Sequence, residues 1–258
     1  MFQEEPKVAK RRQRIVEELQ SNGKVKVSGL SKMLQVTEET IRRDLEYLEN
    51  SNVLIRTRGG AVKTGAEGFE VPSLEREQHN LSEKKKIAQK ALEFVQEGEI
   101  IAIDASTTTR QFAKVLPNIP ITVITNSIQV SIELAKKDQI TVILTGGYLR
   151  TESMSLVGVT ADKILNDYHV DRFFMSCTGL DIKWGVSDSH ELQAKTKERL
   201  KQLADQVIVM VDHTKFHQRS LIKWMELKDV STIITSSLTH ADIREEYRSH
   251  VNNLYVAD

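Results

Sequence analysis

From Ile100 onward the chain repeats one alternation, a short β-branched or aliphatic run followed by an amphipathic stretch of helical period. The runs are Ile100–Asp104, Thr122–Thr125, Thr141–Thr145, Arg172–Cys177, Val207–Val211, Thr232–Thr235 and Leu254–Val256. Between them lie helical segments at about Thr108–Leu116, Ile128–Lys136, Thr160–Asp167, His190–Ala204 and Ala241–His250. Strands joined by helix-length connections are parallel, because a parallel neighbour is reached only by a crossover. Their nearly continuous apolar character implies cover on both faces. Residues 81–258 are therefore expected to form an open, largely parallel α/β sheet domain, begun by a helix from Ser82 to about Gln96. Internal repeats and coiled-coil heptads are not evident.

Residues 8–63 follow another plan. Val8, Arg12, Ile15, Val16 and Leu19 mark a helix that stops at Asn22-Gly23. Val25 and Val27 lead into a short helix, Ser28–Gln35, and a tight turn opens a third over Thr37–Leu48. There Ile41, Leu45 and Leu48 share one face, while Arg42 and Arg43 point away from it. Thr37 can cap the first turn, and Glu38 and Glu39 suit the positive end of the helix dipole. Val53–Arg58 and the Arg58-Gly59-Gly60-Ala61-Val62 turn complete a winged helix-turn-helix, the helix-turn-helix covering about 25–44. In that geometry the second helix of the pair enters the major groove, where arginine forks onto guanine edges or clamps phosphates. The DNA-binding candidates are Ser28, Thr37, Glu39, Thr40, Arg42 and Arg43, with Arg56, Arg58, Gly59 and Gly60 in the hairpin. A small helical domain for protein contacts is the competing reading.

Charge divides along the same boundary. Residues 1–63 hold 13 Lys and Arg against 9 Asp and Glu, a balance of +4, and the remainder holds 23 against 27, or −4. A basic head favours phosphate-backbone contact, but so small an excess requires a dimer or tetramer for useful affinity. The polar, Gly- and Pro-containing block at 64–80 reads as a linker, with a short helical piece around Ser73–His79. The absence of a long apolar window and of a signal-peptide core leads to the expectation of a cytoplasmic protein. Cys177, alone in the chain, is expected as a buried small hydrophobe, which leaves no thiolate metal cage. His213 and His217 have helical metal spacing but no evident third ligand, so neither a metal nor another cofactor is expected.

Ligands of open parallel sheets bind beyond the C-terminal strand ends. The first end runs Asp104-Ala105-Ser106-Thr107-Thr108-Thr109 into a helix, which offers either an anion site or a plain N-cap. The second contributes Thr125 and Asn126. At the third, Gly146 and Gly147 permit close backbone approach or simply a tight turn, and Arg150 supplies a cation. Asp181 and Lys215 follow the fourth and fifth. Together these groups suit a small phosphorylated polyol, the carboxylates and amides reading hydroxyls. Glu191 and Lys195 read as an ordinary i,i+4 ion pair. Trp184-Gly185 reads as a turn near the pocket, and Trp224 as a packing residue.

TIRRDLEYLE (Thr40–Glu49) followed by Arg56-Thr57-Arg58-Gly59-Gly60-Ala61 resembles the signature of the DeoR/GlpR-type bacterial transcriptional repressors. The resemblance continues through IDASTTT, TNS, TGGYLR, LVG, CTGLD and VDHTKF, with Ala105 where the family usually has glycine. It implies Arg42 and Arg43 on the recognition helix and the Arg-Gly-Gly-Ala segment in the wing. It also implies a sensor domain resembling the ribose-phosphate isomerase and glucosamine-phosphate deaminase fold. The function implied is repression of a sugar-catabolism operon, lifted when a phosphorylated sugar weakens binding to double-stranded operator DNA. The alternative is a sugar-phosphate isomerase-like enzyme with an added DNA-binding head, which would need a general base beside the reacting carbon.

Overall fold

The computed structural model describes residues 6–50, 53–63 and 73–258, and the chain divides into two compact units, Met1–Val71 and Pro72–Asp258. In the first, helix α1 (Pro6–Asn22) ends where Gly23 takes φ 70° and donates its N–H to the Leu19 carbonyl at 2.8 Å. Strand β1 (Lys24–Lys26), α2 (Val27–Leu34), α3 (Glu38–Asn50), β2 (Leu54–Thr57) and β3 (Gly60–Lys63) follow. The three strands form an antiparallel sheet in the order β1-β3-β2. Sequence reading missed β1 as a strand because three residues are too few to show a period. Ile15, Leu19, Leu30, Ile41, Leu45, Leu48, Leu54 and Ala61 make one buried cluster, so all three helices and the wing share a core.

Two polar features fix the entry to α3. Gln35 takes a left-handed φ of 52° at the end of α2, and Ser31 Oγ donates to the Val36 carbonyl at 2.6 Å. Thr37 Oγ1 then accepts the Thr40 N–H at 3.2 Å, the cap expected there. The fully packed Asp44 carboxylate accepts from both Arg11 and Arg12, tying α1 to α3.

The second unit contains every strand expected from the sequence. They are β4 (Ile100–Ile103), β5 (Ile121–Thr125), β6 (Ile140–Leu144), β9 (Val170–Met175), β12 (Ala204–Met210), β14 (Thr232–Ser236) and β15 (Asn253–Ala257). All are parallel, in the order β15-β14-β12-β9-β4-β5-β6. Period-two alternation divides the core. Ile101, Ile103, Phe174, Ile208 and Met210 face one cluster, and Ala102, Phe173, Met175, Val207 and Val209 the other. The helices are α4 (Ser73–Arg76), α5 (Leu81–Ala91), α6 (Thr107–Val115), α7 (Ile128–Leu134), α8 (Val159–Ile164), α9 (Glu191–Leu203) and α10 (Ala241–Arg248).

Helix α5 starts one residue before Ser82. Asn80, in the left-handed region, stands at its N-cap without a side-chain cap bond. The short antiparallel pieces escaped sequence reading: hairpin β7 (Tyr148–Arg150) and β8 (Ser155–Val157), and the sheet of β10 (Gly179–Asp181), β11 (Gly185–Asp188) and β13 (Ile222–Met225). Their Gly, Ser and Asp content and short length hide any alternation. Of the block expected to link the units, residues 64–72 lie outside the described residues. Ser73–Asn80 folds onto the second unit: Ser73 N–H donates to the Glu152 carbonyl at 2.6 Å, and the Glu77 carboxylate accepts from Arg110, Gln111 and Lys114.

One glycine of the wing is fixed by packing. A Cβ on Gly60 would lie 1.8 Å from the Val25 carbonyl oxygen across the β1–β3 ladder. Gly60→Ala should therefore destabilise the head by about 1–3 kcal/mol, as overpacking does. Chemical denaturation followed by the near-ultraviolet signal of Tyr47 is the check, and an unchanged midpoint would contradict it.

Candidate nucleic-acid interface and ligand site

Helix α3 buries Ile41, Leu45 and Leu48 and leaves Arg42 and Arg43 outward, their side chains 55% and 77% exposed. Arg42 pairs with Glu38 at 2.9 Å and Arg43 with Glu39 at 3.4 Å. Exposed i,i+4 pairs of this kind are worth only about 0.3–0.5 kcal/mol, so the guanidiniums are held loosely and can be exchanged for another anion. Ser28, Thr37, Glu39, Arg58 and Gly59 are also exposed, whereas Thr40 is half-buried and Thr37 and Thr40 share a hydroxyl contact at 2.8 Å. The structure gives two expected contact residues structural work. Arg56 is bound through its backbone N–H and its Nε to Glu49, at 2.9 and 2.8 Å, which fastens the wing to α3. Gly60 is buried.

In the sensor unit the chain runs outward from β4 through β5 to β6, then crosses to the other side of β4 to place β9. The switch point thus lies between the C-terminal ends of β4 and β9, where a crevice is expected in such sheets. Asp104 and Ser176 stand there. Between them sits Lys197 of α9, its ammonium 3.1 Å from Asp104, 3.0 Å from Asp188 and 2.7 Å from the Ser176 carbonyl. Burial opposes the charge on Lys197, but the carboxylates of Asp188 and Asp104 outweigh it and hold its pKa above the usual lysine range. Trp224 Nε1 donates to Asp188 at 2.9 Å, and the Thr178 hydroxyl to the same carboxylate at 3.1 Å. The Cys177 thiol beside them is buried and its pKa is pushed up, first by burial and then by Asp188, with Lys197 and Lys215 opposing. It is an inert packing group.

The expected ligand residues divide by what their side chains already do. Asp104 is fully buried and accepts from the Thr109 hydroxyl at 2.7 Å and the Ser106 and Ser176 N–H groups at 3.2 Å each. Ser106 caps α6 by accepting the Thr109 N–H at 3.1 Å. The plain-cap reading therefore holds for Ser106 and Thr109, while the Thr107 and Thr108 hydroxyls take no part in the cap. Ala105 lies outside the positive-φ residues, so alanine is accommodated where the family usually has glycine. Thr125 donates to the Ile103 carbonyl at 2.7 Å, and Asn126 to the Leu156 carbonyl at 3.2 Å, holding hairpin β7–β8 over the end of β5. Gly146 and Gly147 take φ 65° and 113°, and Gly147 backs onto the Val157 carbonyl. Arg150, near Ser153 and Glu152, is mostly buried.

Asp181 accepts from the Lys183 and Trp184 N–H groups and from Arg219, which with those bonds overcomes burial and depresses its pKa. It shapes the β10–β11 turn at Trp184-Gly185, within which Gly185 takes φ 84°. Lys215 lies in a short helical turn capped by the buried Asp212. Burial favours the neutral form of Asp212, yet Lys215 and Lys84 keep its pKa low.

Sequence reading missed Lys197, Asp188, Glu83 and Lys84. A lysine on a surface-length helix carries no mark of burial, and the ion set comes from four separated segments. Glu83 and Lys84 open α5. Glu83 accepts from the Ser236 hydroxyl, the His213 N–H at 3.2 Å and the His213 ring at 2.7 Å. Lys84 donates to the Arg76 carbonyl at 2.6 Å, and burial draws its pKa down to about 8 against the pull of Asp212. His213 is bonded to Glu83 of α5 through Nδ1, and His217 stands 3.4 Å from Glu246. Glu191 and Lys195 form the expected i,i+4 pair at 2.6 Å. His169, Asp171 and Asp205 form the single group among the described residues with metal-like spacing. Two of the three are exposed, at the opposite strand ends.

The hydrogen bond that the His213 ring donates to Glu83 raises its pKa above the ordinary 6.5, as do the charges of Glu83 and Asp212, with burial and Lys215 opposing. A raised folded-state value means stabilisation that is complete below pH 6.5 and lost as pH rises through the folded value. The melting-temperature gap between the wild-type chain and His213→Asn should therefore be full below pH 6.5 and narrow as pH rises above it. A gap that holds constant or widens would show that the pair does not depend on the imidazolium.

Comparison with known proteins matches both units. A DeoR-like helix-turn-helix domain matches residues 11–64, and a DeoR C terminal sensor domain matches residues 79–237. The chain is 46% identical over 230 residues to the uncharacterized HTH-type transcriptional regulator YulB of Bacillus subtilis, covering 89% of each chain. It is 32% identical to a putative aga operon transcriptional repressor of Escherichia coli O157:H7, covering 93% of this chain and 90% of that one. To the L-fucose operon activator of Haemophilus influenzae it is 31% identical, covering 92% and 95%. Among solved structures, a ribose 5-phosphate isomerase A from Methanocaldococcus jannaschii aligns at 17% identity and a TM-score of 0.41, over 53% of this chain and 55% of that one. None of the helices among the described residues is long and apolar enough to cross a membrane. The two domain matches, in this order and over nearly the whole chain, show that it belongs to the DeoR family of helix-turn-helix transcriptional regulators, DNA-binding proteins with a sensor domain rather than enzymes.

Proposed function

We propose that this DeoR-family regulator represses a sugar-catabolism operon and is released from its operator by a phosphorylated sugar bound at the strand-end site. The supporting observation is the outward pair Arg42 and Arg43 on a capped, core-anchored α3. Major-groove entry by α3 would present both guanidiniums to base edges, and Arg58 and Gly59 at the tip of the wing would track the backbone. One head offers only a small positive excess, so the operator complex is a homo-oligomer, in the cytoplasm where the operator lies.

For the sensor, the supporting chemistry is the mixture at the switch point. The start of α6 offers backbone N–H groups and the Thr107 and Thr108 hydroxyls, and Lys215 offers positive charge to a phosphate. The carboxylates of Asp104 and Asp188 are engaged by Lys197, so the anion goes to the helix start and the sugar to the remaining polar wall. Ligand and operator must favour different states of the chain, and the coupling is then reciprocal. Helix α5, bound by Glu83 to the ends of β12 and β14, would carry the change toward the head.

Fluorescence anisotropy with DNA from upstream of the operon, beside a random duplex, tests both halves. Arg42→Ala and Arg43→Ala should each cost about 1–3 kcal/mol on operator DNA and less on random DNA, if they read bases. Equal losses on both duplexes would leave only a phosphate role. Lys215→Met should bind operator normally and resist release by pentose and hexose phosphates. Release at wild-type concentrations would place the phosphate elsewhere.

A further inference from the structure

Gln193 lies in the first turn of α9 and is only 7% exposed. Its Nε2 donates to the hydroxyls of Ser153 and Ser155 at 2.6 and 2.5 Å, and these hydroxyls lie 2.8 Å apart. Arg150 Nη1 donates to the same Ser153 oxygen at 3.1 Å. The other end of the amide, Oε1, is buried and has no hydrogen-bond partner. Native proteins leave few buried acceptors in that condition, and a donor from outside the chain, a ligand or a water, is one way such a group is satisfied.

The place of this oxygen suggests the donor. Ser155 is bridged to Ser127, just beyond the end of β5, and Lys197 lies one turn along α9 from Gln193 at the switch point. Residues four apart on a helix are neighbours on one face. Gln193 therefore stands near the ends of β4 and β5, on the face of α9 that carries Lys197, and its side chain is bonded to the hairpin hydroxyls rather than to the α6 cap.

We propose that Gln193 is a specificity-determining residue of the sensor, its Oε1 accepting a hydrogen bond from a hydroxyl of a phosphorylated polyol. This rests on the sugar-phosphate reading of the strand-end site and adds which residue reads the sugar rather than the phosphate. A hydroxyl suits the position because it donates to Oε1 and keeps lone pairs that can accept from Arg150. Hairpin β7–β8, flanked by Gly147 and Gly158 at φ 113° and 97°, brings the Ser153 and Ser155 hydroxyls to the amide.

The test is titration calorimetry on the full chain with ribose 5-phosphate, fructose 6-phosphate, glucose 6-phosphate and inorganic phosphate. At least one sugar phosphate should bind the wild-type chain more tightly than inorganic phosphate does. Gln193→Met should weaken that sugar phosphate about tenfold while leaving inorganic phosphate unchanged, the effect of one lost hydrogen bond with its desolvation cost. Sugar-phosphate affinity kept within about twofold would overturn the proposal and assign Oε1 to a structural water. Parallel losses for sugar phosphate and inorganic phosphate would overturn it too, since Gln193 would then act on the phosphate or on the fold. If Gln193→Met fails to unfold cooperatively, Gln193→Glu takes its place. It keeps an acceptor at Oε1 and should keep the preference for sugar phosphate over phosphate, and loss of that preference counts against the proposal. A wild-type chain with no such preference would instead overturn the sugar-phosphate reading, and this assignment with it.

Discussion

A buried ammonium is tolerable only beside buried anions, and Lys197 organises the sensor unit on that condition. Asp104 comes from the end of β4, Ser176 from the end of β9, Asp188 from β11 and the lysine from α9. Four distant segments are thereby brought to one point at the sheet's switch. The set of two carboxylates and one ammonium leaves a net negative charge. In the proposed sensor this charge would keep a phosphate off the triad and leave the start of α6 to hold it. The same bonds fix the loop after β4, since Asp104 also holds Thr109 and the Ser106 N–H.

The head uses its charges differently. Arg11 and Arg12 are drawn inward to Asp44, and Arg56 to Glu49, so these arginines build the winged helix. Arg42 and Arg43 meet only exposed glutamates of their own helix. The distinction matters for affinity, because an arginine already satisfied in a part-buried pair gains little from a phosphate, whereas an exposed one exchanges a weak partner for a strong one. Part of the formal excess of the head is thus internal, which strengthens the case for more than one head on the operator.

The sheet was legible because period and length suffice for parallel strands: each β-branched run became one of the seven strands, within a few residues at its ends. Helix α3 was legible for a similar reason, with Ile41, Leu45 and Leu48 fixing its face and Thr37 its start. The small antiparallel pieces were not, since Gly179–Asp181 or Tyr148–Arg150 has too few residues to show alternation. Of the candidate site, Ser106, Thr107 and Lys215 stand just beyond strand ends, as their place in the sequence suggested, with Ser106 capping α6, while Asp181 also holds a turn and Thr125 also braces a neighbouring strand end. Lys197 and Gln193 were hidden because burial of a polar residue on a helix is decided by what packs over it, which the local pattern does not encode.

The account depends most on where a ligand binds in the sensor unit, and hydrogen–deuterium exchange of the full chain with and without a saturating sugar phosphate addresses that point directly. The expected result is slowed exchange confined to Asp104–Thr109, the start of α7, hairpin β7–β8 and the first turns of α9. Protection that falls instead on α10 and β15, or at the opposite strand ends around His169 and Asp205, would contradict it.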